Sequence, residues 1–153
     1  MVIGKRAPAI VRHILEDKGK QEIFSVDPND TVLSAIRKMR DNQLGAMLVM
    51  VREQLVGILT ERDYLYKVEL EGKTAKETLV KEIMTPAPVQ IAIDETPIQV
   101  AIVRMDDHHI RHLPVLHGQA VGGVISQRDL LHALRDYQVF HEDERRSYML
   151  HQT

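Results

Sequence analysis

The chain has 153 residues, of which 44% are hydrophobic and 27% charged, and its formal net charge is −2. This composition suits a globular protein with a buried core and shows no basic excess for nucleic acid or for an anionic membrane surface. Cysteine is absent, which excludes disulfides, cysteine-ligated zinc and cysteine nucleophiles. With no apolar run near the roughly 20 residues of a membrane helix and no signal-peptide pattern, we expect a cytoplasmic protein without membrane partners.

In chain order, the hydrophobic pattern predicts two similar series of elements. A helix over 9–17 that ends at Gly19 precedes the first series. This series comprises a strand over 23–26, a helix after Asp30, strands over 46–51 and 54–59, and a helix over 61–68. A connection follows, with a short helix over 79–84. The second comprises a strand over 89–93, a helix beginning at Pro97, strands over 113–116 and 120–125, and a helix over 127–137. Asp30 and Thr96 are the expected N-caps.

The two series are an internal repeat. The motif Gly57–Asp63, GILTERD, recurs 66 residues later as Gly123–Asp129, GVISQRD. The same shift aligns the apolar stripe Val32, Ala35, Ile36 and Met39 with Ile98, Ala101, Ile102 and Met105. We therefore predict repeats over 19–72 and 81–136, each about β-α-β-β-α in an α+β fold, with a helical segment over 1–18 and a charged tail over 137–153.

The repeated motif has two interpretations. The spacing of Thr60 to Asp63, and of Ser126 to Asp129, is that of a capping box, which is purely structural. The functional interpretation uses the same strand-to-helix corner, where free N–H groups suit a phosphate and an aspartate can accept ribose hydroxyls. Arg62 and Arg128 could add a charge-assisted contact to that phosphate.

The two series resemble CBS domains, and together they are similar to a CBS pair, or Bateman module. The stretches that carry the resemblance are residues 26–32, 44–46, 82–86 and 109–115 and both seven-residue motifs. The resemblance implies tandem CBS domains packed about a pseudo-two-fold axis, with two ligand clefts and a tendency to form homodimers. Each cleft would take the hydroxyl and the aspartate from one repeat and its remaining residues from the other.

Two unequal sites follow from the resemblance. The stronger would contain Ile58, Thr60, Arg62, Asp63, Thr85, Val89, Gln90, Ile110, Arg111 and His112. The weaker would contain Lys20, Leu44, Gly45, Ala46, Val124, Ser126, Arg128 and Asp129. Where the first has Arg111 and His112 to face the phosphates, the second has the uncharged Gly45 and Ala46. Whether Phe24 or Ser25 corresponds to Gln90 stays open, and Leu48 replaces the proline found at Pro114.

The predicted function is a regulatory module that binds an adenine nucleotide, with AMP, ADP or ATP as candidates and NADH or S-adenosylmethionine possible. A dimeric adaptor that binds a protein partner without a nucleotide is the alternative. We expect no catalysis, because no nucleophile elbow or acid–base group surrounds Thr60 or Ser126. We also expect no metal site, since His108, His109, His112 and His117 lack a ligand motif.

Overall fold

The computed structural model describes residues 9–19, 22–87 and 91–150. The chain divides into two compact units. One is Glu22–Gln90, called here the first unit, and the other joins Met1–Gln21 to Ile91–Thr153 and is called the second unit. Both units contain the series strand, helix, two strands and helix, and together they confirm the predicted mixed α+β fold.

The first unit is a four-stranded sheet with strand order β1-β2-β3-β4 and helices against it. Strand β1 pairs in parallel with β2, and β2 and β3 form an antiparallel hairpin. The parallel pairing requires a crossover, which α2 provides. The elements are β1 (Ser25–Val26), α2 (Val32–Asp41), β2 (Ala46–Val51), β3 (Gln54–Thr60), α3 (Glu61–Tyr64) with a π-helical turn (Leu65–Glu69), α4 (Val80–Ile83) and β4 (Thr85–Pro86).

The second unit has a three-stranded sheet with strand order β5-β6-β7 and the same pairing directions. Strands β2 and β6 each bury three consecutive residues, Met47 to Val49 and Leu113 to Val115. Consecutive burial shows that both faces of these central strands are covered. The elements are α1 (Val11–Lys18), β5 (Ala92–Ile93), α5 (Ile98–Asp107), β6 (His112–His117), β7 (Ala120–Ser126) and α6 (Gln127–Leu150).

The short helix before each repeat occupies the same position in a unit. Helix α4 precedes the second repeat but belongs to the first unit, where Val80 N donates to Asp30 O at 2.9 Å. Helix α1 precedes the first repeat but belongs to the second unit, where Val11 N donates to Thr96 O at 2.9 Å. Each of these short helices therefore packs in the core of the unit that does not contain the repeat it precedes.

The helices and strands predicted for the described residues are present, but several of their boundaries differ. Strand β1 begins at Ser25 instead of residue 23, and residues 89 and 90 of the strand predicted over 89–93 lie outside the described residues. The N-caps are Thr31 and Pro97, each one residue later than predicted. Asp30 and Thr96 instead accept hydrogen bonds from the backbone N–H three residues before them, at 3.1 and 3.0 Å. The last helix does not end near Tyr137 but continues as α6 to Leu150, since no glycine or proline interrupts residues 127–150.

The placement of α1 and α4 in the two cores gives the first prediction. Ile14 of α1 and Ile83 of α4 are both buried, at 5% and 1% exposure, but in different cores. Replacing either by alanine removes a buried side chain and should lower the free energy of unfolding by about 2–5 kcal/mol. Ile14→Ala should reduce amide exchange protection in β5–β7, and Ile83→Ala should reduce it in β1–β3. Native-state hydrogen exchange of the two variants measures these changes. Loss of protection in β1–β3 on Ile14→Ala would contradict the placement of α1 in the second unit.

Candidate functional site

In the first unit the motif forms a closed capping box at the start of α3. Thr60 Oγ1 accepts from Asp63 N at 3.2 Å, and Asp63 Oδ2 accepts from Thr60 N at 2.9 Å. The Thr60 hydroxyl donates to the same carboxylate oxygen at 2.9 Å. We call Ile58, Thr60, Arg62 and Asp63 the Asp63 site. Its aspartate is 9% exposed and lies among the few polar residues of the described chain that are buried.

A lysine completes the surroundings of Asp63. Lys67 Nζ donates to Asp63 Oδ1 at 2.8 Å and to the carbonyl oxygen of Ile83 at 2.8 Å. Lys67 lies four residues after Asp63, in the π-helical turn, and 46% of its side chain is exposed. Both carboxylate oxygens of Asp63 therefore already accept hydrogen bonds. Arg62, next to Asp63, places its guanidinium 5.1 Å from the ring centre of Tyr66.

In the second unit the motif forms the same capping box at the start of α6. Asp129 N donates to Ser126 Oγ at 3.1 Å, and Ser126 N donates to Asp129 Oδ2 at 2.8 Å. Lys18, from α1, donates to the same Oδ2 at 2.7 Å and to Val124 O at 3.3 Å. We call Val124, Ser126, Arg128 and Asp129 the Asp129 site.

The charge of Asp129 is stabilised by its neighbours. Partial burial alone raises the pKa of this carboxyl. The hydrogen bond and positive charge of Lys18 and the hydrogen bonds from Ser126 outweigh burial and lower the pKa below its usual value. Asp129 is therefore an anion at neutral pH, paired with an ammonium group. This ion pair is one of the contacts that join α1 to α6 in the second unit.

Backbone contacts fix both helix starts in the same way. Glu61 N donates to Gly45 O at 3.2 Å, and Gln127 N donates to Arg111 O at 2.8 Å. Gly45 and Arg111 are therefore the same position in the two units, one without and one with a charged side chain. The strand register also aligns Val26 with Ala92, because these residues pair with Val49 and Val115. The same register makes Phe24, and not Ser25, the residue that corresponds in sequence to Gln90.

The predicted site residues are divided between the two units. Thr85 lies in β4 directly opposite Ile58, so the structure brings these two together. The second unit contains Ile110, Arg111 and His112, and the first unit contains Leu44, Gly45 and Ala46. Arg111 is exposed and His112 half-buried. Lys20, Val89 and Gln90 lie outside the described residues.

Sequence reasoning missed both lysines that pair with the motif aspartates. Lys67 has a signal, because a lysine four residues after an aspartate lies beside it on a helix. Lys18 has none, since it is 111 residues away from Asp129 in sequence. In the described parts of the chain, no group of three or more His, Asp or Glu side chains has the arrangement of a metal site.

Gly57, the first residue of the motif, is required by packing. A Cβ at this position would lie 2.7 Å from Thr85 O and 2.8 Å from Met84 Sδ. The close approach at Gly57 is therefore made by β4 and the residue before it. Since β4 lies beside β3 in the sheet, this glycine positions the strand that leads into the Asp63 site.

A family model for the CBS domain matches residues 11–69 and 80–136. The chain belongs to the CBS domain family. Each matched CBS domain begins at the short helix, α1 or α4, that the fold gives to the other unit. Tandem CBS domains are typically regulatory, ligand-binding modules. The boundaries predicted from the sequence, 19–72 and 81–136, stay a prediction.

Solved CBS structures share this fold. A protein with CBS domains from Burkholderia ambifaria is 39% identical, with a TM-score of 0.76, over 82% of this chain and 93% of that chain. The CBS-domain protein ATU1752 from Agrobacterium tumefaciens is 26% identical, with a TM-score of 0.75, over 81% and 98%. A CBS-CP12 protein from bloom-forming cyanobacteria, described as hexameric, is 28% identical with a TM-score of 0.71, over 81% and 68%.

Curated relatives are longer than the matched region. The mitochondrial CBS domain-containing protein CBSX3 of Arabidopsis thaliana is 34% identical over 81% of this chain, and the match covers 64% of that protein. CBSCBSPB1 of the same plant is 35% identical over 72% of this chain, with 20% of that protein covered. This chain thus spans less than two thirds of either relative.

None of the described helices is long and apolar enough to span a bilayer.

The packing at Gly57 gives the second prediction. Gly57→Ala should lower the free energy of unfolding by about 1–3 kcal/mol, because the added methyl group meets a backbone oxygen that cannot move alone. Gly122→Ala is the matched control, since a Cβ there has ordinary contacts, the nearest at 3.4 Å. Urea denaturation measures both variants, and equal stability of the two contradicts this account of Gly57.

The Lys18–Asp129 pair gives a prediction for pH dependence. Because the pKa of Asp129 is lower in the folded state, its contribution to stability is complete above the ordinary carboxyl pKa of 3.8 and is lost as the pH falls through the folded value. Wild type should therefore be more stable than Lys18→Met near pH 7, and this difference should shrink below pH 4. Denaturation midpoints across this pH range test it, and a constant difference contradicts it.

Proposed function

We propose that this CBS pair is a regulatory module that binds an adenine nucleotide, with the Asp63 and Asp129 sites holding the ribose. The observation that carries the proposal is the duplicated corner, at which two strand-to-helix junctions each hold a largely buried aspartate. Membership of the CBS domain family supports a ligand-binding role for these corners. AMP, ADP and ATP are the first candidates, and NADH and S-adenosylmethionine are further ones.

The chemistry of the corner suits a nucleoside ligand. An ionised carboxylate can accept hydrogen bonds from two vicinal hydroxyls, and the ribose of a nucleotide offers such a pair. At Asp63 the oxygen Oδ1 accepts from Lys67, whose side chain is 46% exposed and can turn to solvent. A ligand that replaces Lys67 at Oδ1 leaves the capping box at Oδ2 in place.

We propose that the Asp63 site binds the phosphate more tightly than the Asp129 site. In this proposal, carried over from the family resemblance, the second repeat completes the Asp63 site with Arg111, His112, Ile110, Val89 and Gln90. The Asp129 site would receive the uncharged Gly45 and Ala46 at the positions of Arg111 and His112. The difference of charge at these positions supports the ranking.

A dimeric adaptor that binds a protein partner without a nucleotide is the second candidate. The observation in its favour is that both capping boxes are closed, so each motif already has a complete structural role. Under either candidate we propose a homodimer without catalytic activity that acts in the cytoplasm and signals to a protein partner.

Calorimetry tests the nucleotide proposal and its ranking. Asp63→Ala should weaken AMP or ATP binding about tenfold or more, because a charge-assisted hydrogen bond of about 1.5–3 kcal/mol is lost. Asp129→Ala should have a smaller effect on the tighter binding event. Glu61→Ala, an exposed neighbour in the same turn of α3, is the control and should leave affinity unchanged.

Two results would overturn the proposal. If Asp129→Ala abolishes the tighter event and Asp63→Ala does not, the ranking is wrong. If AMP, ATP, NADH and S-adenosylmethionine all fail to raise the melting temperature at millimolar concentration, the chain is not an adenine-ligand module and the adaptor function is favoured.

A further inference from the structure

The two lysines beside the motif aspartates come from positions that do not correspond in the repeat. Lys67 lies in the π-helical turn that directly continues the motif helix α3, and the residue 66 positions later is Ala133, a buried core residue. Lys18 instead lies on α1, near the opposite end of the chain from Asp129. The same ionic contact is thus built from two different parts of the chain, from the turn next to the motif helix at Asp63 and from a helix distant in sequence at Asp129.

The ammonium group of Lys18 lies at the corner between β7 and α6. It donates to Asp129 Oδ2 at 2.7 Å and to Val124 O at 3.3 Å. Val124 and Asp129 both belong to the Asp129 site, at which the proposed function places the ribose. Lys18 therefore already uses polar groups that a ligand at this site would use.

Displacement of Lys18 changes the balance of charge at the site. Ribose hydroxyls are neutral, so a ligand that takes Asp129 leaves the lysine without its anion. The side chain of Lys18 is 29% exposed and that of Asp129 is 18% exposed, so the separated charges are only partly screened by water. A phosphate on the ligand would supply a new anionic partner for the ammonium group, whereas a neutral nucleoside would not.

We propose that Lys18 determines the ligand class of the Asp129 site by competing with ribose hydroxyls for the carboxylate and moving to a phosphate when one is present. The inference rests on the proposed function and adds a discrimination that the motif alone does not provide. The site accepts a nucleoside phosphate, rejects the neutral nucleoside, and disfavours a ligand with a cationic group beside the ribose. The low pKa of Asp129 is consistent with this, since it keeps the carboxylate charged at neutral pH.

Calorimetric titration of AMP and adenosine isolates this role. The 153-residue chain carries Asp63→Ala, so that binding reports on the Asp129 site, and is compared with the same chain that also carries Lys18→Met. With Lys18 present, AMP should bind about tenfold or more tightly than adenosine. In the Lys18→Met chain, adenosine should bind more tightly than before, and the preference for AMP should fall about tenfold.

The outcomes separate the two claims. If AMP and adenosine bind but their affinity ratio is unchanged by Lys18→Met, or adenosine binds more weakly, the role of Lys18 is wrong and the proposed function stands. If neither ligand binds these chains or the wild type, the proposed function itself fails, and the role of Lys18 fails with it.

A measurement on the wild type covers the case in which Lys18→Met does not fold. The ε-methylene NMR signal of Lys18, assigned by its absence from the conservative variant Lys18→Arg, should shift on addition of AMP and stay in place with adenosine. An unchanged Lys18 signal while the backbone amide of Asp129 shifts with AMP overturns the proposal.

Discussion

The aspartate at each strand-to-helix corner, buried at Asp63 and half-buried at Asp129, is the constraint on which the rest of the structure depends. A carboxylate that loses water must accept hydrogen bonds or meet a cation. Asp63 and Asp129 both meet this requirement with the N-cap backbone N–H of their own helix and with a lysine. The strand, the following helix and the lysine-bearing segment are joined at one group, so a change at the carboxylate reaches all three.

The two corners differ in what they connect. At Asp63 the lysine belongs to the π-helical turn and reaches back to Ile83 O, so the contact joins the motif helix to α4. At Asp129 the lysine belongs to α1 itself, the helix that the first repeat gives to the second unit. The lysine contact at each aspartate thus involves a helix that precedes one repeat in the chain and belongs to the unit of the other.

Most of the fold follows from the sequence because its signals are local. Strand β2 has the predicted bounds, Ala46–Val51, since its apolar run ends at a turn. The N-cap position is less well determined by the sequence, because Asp30 and Thr31 can both cap a helix. In the structure Ser34 N donates to Thr31 Oγ1, which makes Thr31 the N-cap. The exchange of α1 was not predictable, since hydrophobic periodicity predicts that a helix has an apolar face but not which core will cover it.

The candidate site was only partly predictable for a similar reason. The motif residues form the corner as expected, while Lys18 depends on tertiary contacts that no local pattern encodes. A crystal structure of the chain with AMP tests the central claim most directly. The account predicts the ribose hydroxyls on Asp63 Oδ1, with Lys67 displaced and the Thr60 capping box intact. A structure in which AMP occupies another surface while the Lys67–Asp63 and Lys18–Asp129 pairs remain closed would contradict it.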